Sequence, residues 1–405
     1  MSIDLRRYIP AILVALAVSS SIVLILSLVR IQNVSFAPHD KYGMVFDAGS
    51  SHTSLFVYQW TSDKTNDTGV VSQTLSCNVK GPGISSYAND PPKAGVSLRS
   101  CLEEALKVIP DERQREVPVY LGATAGMRLL SMENKSAADQ VLNEVTKTLQ
   151  QYPVNFHGAR IITGEEEGAY GWITINYLLD SFTKYSPKQR DWIHPQSAKI
   201  LGALDLGGAS TQISFIPIGP ITDQTKASTF RLYGFTYTIY THSYLCYGQN
   251  QALKQLILKI TEAFSAFYYT FSFLNLTRGQ PLDVVEDTVQ KFCARNWTDL
   301  KSSYPKEKDQ WLREYCANAN YILVLLLDAY KFNQTSWSSI KFQMKAANTD
   351  IGWTLGYMLN LTNKIPAEAP EQVKGQQHGL WAAAIFFIVL TLAVCLIGLL
   401  IYILW

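Results

Sequence analysis

The chain has 405 residues, a length that accommodates two to three domains. Its formal net charge is +2, which gives no electrostatic case for binding nucleic acid. Only 17% of residues are charged, against about 25% in typical globular chains, and 47% are hydrophobic, which excludes a largely disordered chain.

The first and last elements are uncharged apolar runs, Tyr8–Val29 and Gly379–Trp405. Each is long enough to cross a ~30 Å hydrocarbon core as a helix. Two such runs argue against a soluble cytosolic protein. A cleaved signal peptide is the alternative for the first run. Its apolar stretch is longer than a usual signal core and no clear small-x-small cleavage site follows, which favours an uncleaved anchor. Arg6 and Arg7 before it argue for a cytoplasmic N-terminus. Between the runs lie seven Asn-x-Ser/Thr sequons, at Asn33, Asn66, Asn134, Asn275, Asn296, Asn333 and Asn360. Seven suggest a glycosylated, extracytoplasmic face, although a buried Asn cannot be modified. The expected topology therefore puts residues ~30 to ~378 outside the cell, tethered at both ends. Cys395 lies inside the second run and reads as a packing residue.

Five cysteines remain in the outer region, where disulfides are expected: Cys77, Cys101, Cys246, Cys293 and Cys316. The pairs nearest in sequence are Cys77–Cys101 and Cys293–Cys316, each closing a loop of just over twenty residues. Each would contribute roughly 3 kcal/mol in the chain-entropy picture. Cys246 is left over by that pairing, and an odd cysteine needs an explanation.

Two segments resemble each other. Gly43-Met-Val-Phe-Asp47-Ala-Gly49-Ser50-Ser51-His52-Thr53 and Gly202-Ala-Leu-Asp205-Leu-Gly207-Gly208-Ala209-Ser210-Thr211-Gln212 both run from apolar strand through Asp-x-Gly and small hydroxyl residues to Thr and a second strand. The Asp, Gly and Thr recur 158 residues apart, a domain-sized spacing that suggests two similar lobes. Gly49 and Gly207 permit a sharp turn. Turn amides can cradle phosphate oxygens, and Ser50, Ser51, Ser210 and Thr211 add hydroxyl donors. An Asp at each strand end can hold a divalent cation, directly or through water. Two such hairpins facing each other would grip a polyphosphate from both sides. The bland alternative is a pair of ordinary β-hairpins. Between them, Thr163 with Glu166 three residues on is a capping-box pattern that opens a helix. Glu165, Glu166 and Glu167 in its first turn also suit the helix dipole, so capping or surface charge is the alternative reading for each.

These hairpins resemble the paired phosphate loops of the actin, Hsp70 and sugar-kinase superfamily. More specifically, the chain resembles the GDA1/CD39 or apyrase family of ecto-nucleoside triphosphate diphosphohydrolases. The resemblance rests on Val45 to Phe56, Tyr120-Leu-Gly-Ala-Thr124-Ala-Gly126-Met-Arg128, Thr163-Gly-Glu-Glu-Glu167-Gly-Ala-Tyr-Gly-Trp172, Ala203 to Phe215 and Asp350-Ile-Gly-Trp353 through Thr362. It covers nearly the whole chain. It implies an α/β fold of two RNase H-like lobes with an active site between them and one transmembrane helix at each end. The implied bounds are a cytoplasmic tail over 1–8, a span over 9–29, a first lobe over 38–163 to which 346–372 returns, a second lobe over 164–345, and a span over 379–405. The implied location is the plasma membrane, with the catalytic region extracellular.

The resemblance also implies roles. Glu167 matches the general base that orients or deprotonates an attacking water. Asp47 and Asp205 match the metal-site aspartates, which hold Ca²⁺ or Mg²⁺ largely through water, with Thr124 and Trp353 nearby. Ser50, Ser51, His52, Gly208, Ala209 and Ser210 match phosphate-loop positions, and Ser210 and Gln212 lie near the water. Tyr269, in the aromatic stretch Phe267-Tyr268-Tyr269, with a partner near Lys331, is the candidate base-stacking residue; core packing is the alternative for it, and equally for Trp353. The implied partners are nucleoside tri- and diphosphates (ATP, ADP, UTP, UDP), membrane lipid and a possible second copy of the chain, with no nucleic acid. The implied reaction releases phosphate and leaves the monophosphate, with water as nucleophile. The chain departs from the family after Tyr244-Leu-Cys-Tyr-Gly248 and its following helix, where the family carries a further cysteine-containing segment; here Ile260 runs straight into Thr261. The left-over Cys246 agrees with that gap. A shortened second lobe leaves a catalytically impaired or misfolded membrane glycoprotein as the competing reading, and a kinase of the same superfamily as a third.

Overall fold

The computed structural model describes residues 40–62, 64–186, 189–195, 199–248 and 267–365, with the pairs 34–35 and 372–373 and short helical stretches within 15–22 and 379–397. Two compact units divide the chain, residues 1–38 with 368–405 and residues 39–367. In the first, Val34–Ser35 pairs antiparallel with Gln372–Val373. Among the described residues no helix is long and apolar enough to cross a membrane. Most of 9–29 and 379–405, the sequon at Asn33, Cys395 and the Ile260–Thr261 junction lie outside the described residues.

The second unit is a mixed α/β fold. Its larger sheet holds five strands: β1 (Asp40–Ala48), β2 (Thr53–Thr61), β3 (Ser72–Asn78), β4 (Pro118–Ala123) and β5 (Asn155–Ile161). The spatial order is β3-β2-β1-β4-β5. β1, β2 and β3 form an antiparallel meander, while β4 pairs parallel with β1 and β5 parallel with β4. β1 is central and covered on both faces, which is why it reads Gly43-Met-Val-Phe without polar alternation. On one face, Met44 and Phe46 pack against Leu98 and Leu102 of α1 (Pro91–Val108). Behind them stand α2 (Ala125–Glu133) and α3 (Lys135–Leu149), whose buried Ala138, Val141, Val145 and Leu149 keep helical spacing. The Asn134 side chain caps α3 by accepting from the Ala137 amide. The expected disulfide Cys77–Cys101 is present and ties β3 to α1.

The other face of the sheet meets α4 (Gly164–Leu178), which is buried on nearly every side. Its capping box is formed as expected: Thr163 accepts from the Glu166 amide and Glu166 accepts from the Thr163 amide. Beyond α4 lies a sheet of four strands, β6 (Ala203–Leu206), β7 (Ser210–Phe215), β8 (Ala227–Leu232) and β9 (Phe235–Leu245), in the order β8-β9-β7-β6. All its pairings are antiparallel. β1 has a parallel neighbour in β4; among the described residues its counterpart β6 has none. Helices α5 (Phe267–Phe273), α6 (Leu282–Cys293) and α8 (Asp309–Val324) form a separate apolar cluster that includes Leu206 of β6, and α7 (Trp297–Ser303) joins a smaller one through Leu300, with Phe292 and Leu312. The disulfide Cys293–Cys316 joins α6 to α8, and Cys246 belongs to neither bridge.

The last helix, α9 (Trp353–Thr362), packs on α4 and reaches β1 and β2. A seam opposite the hairpin loops joins three segments. Thr68 Oγ1 donates to Asn363 Oδ1 (2.7 Å) and accepts from the Tyr233 amide (2.8 Å), and Asn363 Nδ2 donates to the Arg231 carbonyl (2.7 Å). Lys64 donates to the carbonyl of Thr362, which ends α9, and to that of Ile365 just beyond it.

Candidate active site

The two expected hairpins form, and their registers match. Asp47 and Asp205 are each the penultimate residue of the first strand, opposite Ser54 and Gln212. Residues 49–52 close the first hairpin and residues 207–209 the second. Both turns are backed so closely that only glycine fits behind them. A Cβ on Gly83 would lie 2.4 Å from the Gly49 carbonyl oxygen, and one on Gly126 2.7 Å from Ser50 Cα. Behind the second turn, a Cβ on Gly248 would lie 2.1 Å from the Ser210 nitrogen, and the Cys246 amide donates to the Ala209 carbonyl (2.9 Å). Ser51 and His52 are exposed, with Ser51 Oγ 3.1 Å from His52 Nδ1.

α4 brings Glu167 to the same place. The Gly168 position lets it approach the second sheet, since a Cβ there would lie 2.8 Å from both Ser214 Oγ and Thr241 Oγ1. Glu167 is 5% exposed and ion-paired with Arg128 of α2. Arg128 also donates to Ser210 Oγ (3.2 Å). Gln212 Nε2 donates to Ser210 Oγ (2.6 Å) and to Ser243 Oγ (3.1 Å), while Gln212 Oε1 is buried with no partner among the described residues.

The three buried carboxyls influence one another. Burial pushes Asp47 up to about 6, and the nearby Trp353 indole offsets only part of that. Burial, then the charge of Asp47, pushes Asp205 up to about 6, against the pull of Arg128. Burial raises Glu167 to about 8; Arg128 opposes this, and the charges of Asp205 and Asp47 reinforce it. Among the described residues no group of three His, Cys, Asp or Glu side chains is gathered to hold a metal ion. The pair Asp47 and Asp205 does fit a cation held partly through water. Asp47 Oδ1 is buried without a hydrogen bond among the described residues, and both carboxyls resist ionising unless positive charge arrives.

Trp353 lies beside Asp47 because its ring packs on Gly122, the β4 partner of Asp47; a Cβ there would fall 2.2 Å from the ring. Thr124 is buried at the start of α2, its amide bonded to the Ala48 carbonyl (3.1 Å). Tyr269 is half exposed on α5 and meets Tyr268 edge-on, at 5.8 Å; Lys331 is exposed with a left-handed φ of 62°. The ring beside the second hairpin is instead Tyr330, whose hydroxyl lies 2.9 Å from Thr211 Oγ1. Sequence reasoning missed Arg128, Ser243 and Tyr330 as parts of the site. Arg128 stands inside a recognised motif, but 39 residues from Glu167, and no spacing rule pairs them.

The GDA1/CD39 (nucleoside phosphatase) family model matches residues 33–263 and 256–375. The chain belongs to this family. It is 45% identical over 491 residues to ectonucleoside triphosphate diphosphohydrolase 8 of Mus musculus, covering 99% of this chain and 98% of that protein. It is 42% identical to ectonucleoside triphosphate diphosphohydrolase 8 of Homo sapiens, covering 98% and 97%. With ectonucleoside triphosphate diphosphohydrolase 1 of Bos taurus it shares 39%, covering 94% and 93%. Among solved structures, the Aquifex aeolicus member of the Ppx/GppA protein family is similar at a TM-score of 0.44 and 13% identity, covering 82% of this chain and 100% of that one. The expected internal gap has support here. The mouse alignment runs over 491 residues, 86 more than the 405 of this chain, and the two family matches meet at 256–263, around Ile260.

Proposed function

We propose that this chain hydrolyses nucleoside tri- and diphosphates to monophosphates, releasing phosphate, with water as the nucleophile. The observation that carries the reading is Glu167. It is a buried carboxyl raised to about 8, on a helix start that two matched Asp-x-Gly hairpins face. A base poised near the working pH transfers protons most efficiently. Glu167 takes the proton of the water, and the carbonyl of Gln212 holds that water in line with the terminal phosphorus. Turn amides and the hydroxyls of Ser50, Ser51 and Ser210 bind the phosphate oxygens, with His52 at the rim. Arg128 holds Glu167 in place and keeps Ser210 oriented. Asp47 and Asp205 would hold a divalent cation, partly through water, and it would neutralise charge on the phosphate. Thr124 and Trp353 fix the walls of that site.

In this reading the two sheets belong to two RNase H-like lobes, the first with both parallel strands and the second reduced to its antiparallel strands. The apolar runs at either end anchor the chain at the plasma membrane, with the site outside the cell. One observation favours a second reading, an impaired glycoprotein: among the described residues β6, which carries Asp205, lacks the parallel neighbour that β1 has. Phosphate release from ATP and ADP by intact cells displaying the chain, with and without excess EDTA, separates the two. Cation-dependent release supports hydrolysis. Surface-displayed chain with no release, or release unchanged in EDTA, overturns it.

A further inference from the structure

β9 lays two hydroxyls against the first turn of α4. Thr241 Oγ1 lies 2.7 Å from Ser214 Oγ and donates to the Glu165 carbonyl (3.3 Å). Two residues on, on the same face of the strand, stands Ser243. It is the cross-strand partner of Gln212 and accepts from its Nε2 at 3.1 Å. It also meets the start of α4: a Cβ on Gly164 would lie 2.2 Å from Ser243 Cβ, 2.3 Å from its Oγ and 2.4 Å from an Arg128 nitrogen. Gly164 is three residues before Glu167. One small side chain therefore touches Gln212, the helix that carries Glu167, and the surroundings of Arg128.

We propose that Ser243 is a positioning residue, which fixes the Gln212 amide and its distance from Glu167 so that one water contacts both. Ser210 and Ser243 take the Gln212 amide hydrogens, and Gln212 Oε1 is left as a buried acceptor without a partner among the described residues. A buried acceptor of that kind is costly unless something fills it. Ser243 itself touches no reacting atom; it acts through Gln212. A larger side chain would push α4 outward, and a smaller one would release the amide to rotate.

This inference rests on the water-attack reading above, so its test begins with wild-type protein that releases phosphate. Ser243→Ala removes the acceptor and keeps the strand residue. The expected result is a kcat for ATP lowered roughly tenfold, the loss of one ordinary hydrogen bond, with KM within about twofold. The same substitution made on Gln212→Ala should lower kcat no further, because its route of action is already gone. Ser243→Cys, a near-isostere with a weak acceptor, should behave like Ser243→Ala and serves if the alanine variant does not fold. Wild-type kcat in both variants, a raised KM with kcat intact, or losses that multiply with Gln212→Ala would each overturn the positioning role. A wild type without activity, or an active Glu167→Gln, would instead sink the water-attack reading.

Discussion

Replacing Glu167 by Gln tests both halves of its environment. The amide keeps the shape, and its carbonyl still accepts from Arg128, but it takes no proton. Holding the carboxyl at about 8 rather than its ordinary 4.5 means that ionising it costs the folded protein roughly 5 kcal/mol. The side chain is 7% exposed, so solvent screens little of this. Because the folded-state value is raised, the burden is absent below about pH 4.5, grows as pH rises, and is complete above about 8. Glu167→Gln removes it and leaves Arg128 with a neutral partner at every pH. The melting temperature of the variant minus that of wild type should therefore rise between pH 5 and pH 8.5, followed by circular dichroism. Over the same window kcat should fall by at least ~10²-fold at pH 8.5, with nucleotide binding nearly intact. A variant that keeps more than a third of wild-type turnover would remove Glu167 from the base role. A melting difference that stays flat with pH would refute the account of its burial.

Arg128→Met leaves Glu167 beside two carboxyls with no compensating charge, so the rising limb of the pH–rate profile should move to higher pH, and an unmoved limb would deny that Arg128 tunes the base. Asp205→Ala should abolish phosphate release in a way that added Ca²⁺ or Mg²⁺ does not restore; rescue by millimolar metal would dissociate Asp205 from the cation. Thr68→Val strips the seam of its shared hydroxyl and leaves the Tyr233 amide unsatisfied, which should cost about 1–3 kcal/mol in chemical denaturation at unchanged kcat. Asn66→Gln removes the same sequon but keeps the hydroxyl, and an equal loss from it would assign the effect to the glycan. On the extracytoplasmic reading, glycan mapping should find the exposed Asn66, Asn134, Asn275, Asn296 and Asn333 occupied. Asn360 should be bare, since it is half-buried within α9 and bonded to Tyr170, and a glycan on it would show that α9 does not pack on α4.

What could be read from the residues alone were features carried by local order. The matched Asp-x-Gly hairpins, the capping box at Thr163 and the two short-range disulfides are encoded within stretches of contiguous chain, where spacing and turn chemistry suffice. The gap after Ile260 was legible too, because the family resemblance places a further cysteine-containing segment there and the left-over Cys246 agrees with its loss. Tertiary structure alone decided which distant groups meet. Arg128 reaches Glu167 because α2 and α4, on opposite faces of the larger sheet, start at the same end of the neighbouring parallel strands β4 and β5, and Ser243 reaches Gln212 because β9 pairs with β7. The raised values of Asp47, Asp205 and Glu167 come from burial by chain segments that are remote in sequence, and no spacing pattern reports a desolvation. The edge of β6 that is unflanked among the described residues likewise follows from which strands pair, a property of the assembled sheet and of no single segment.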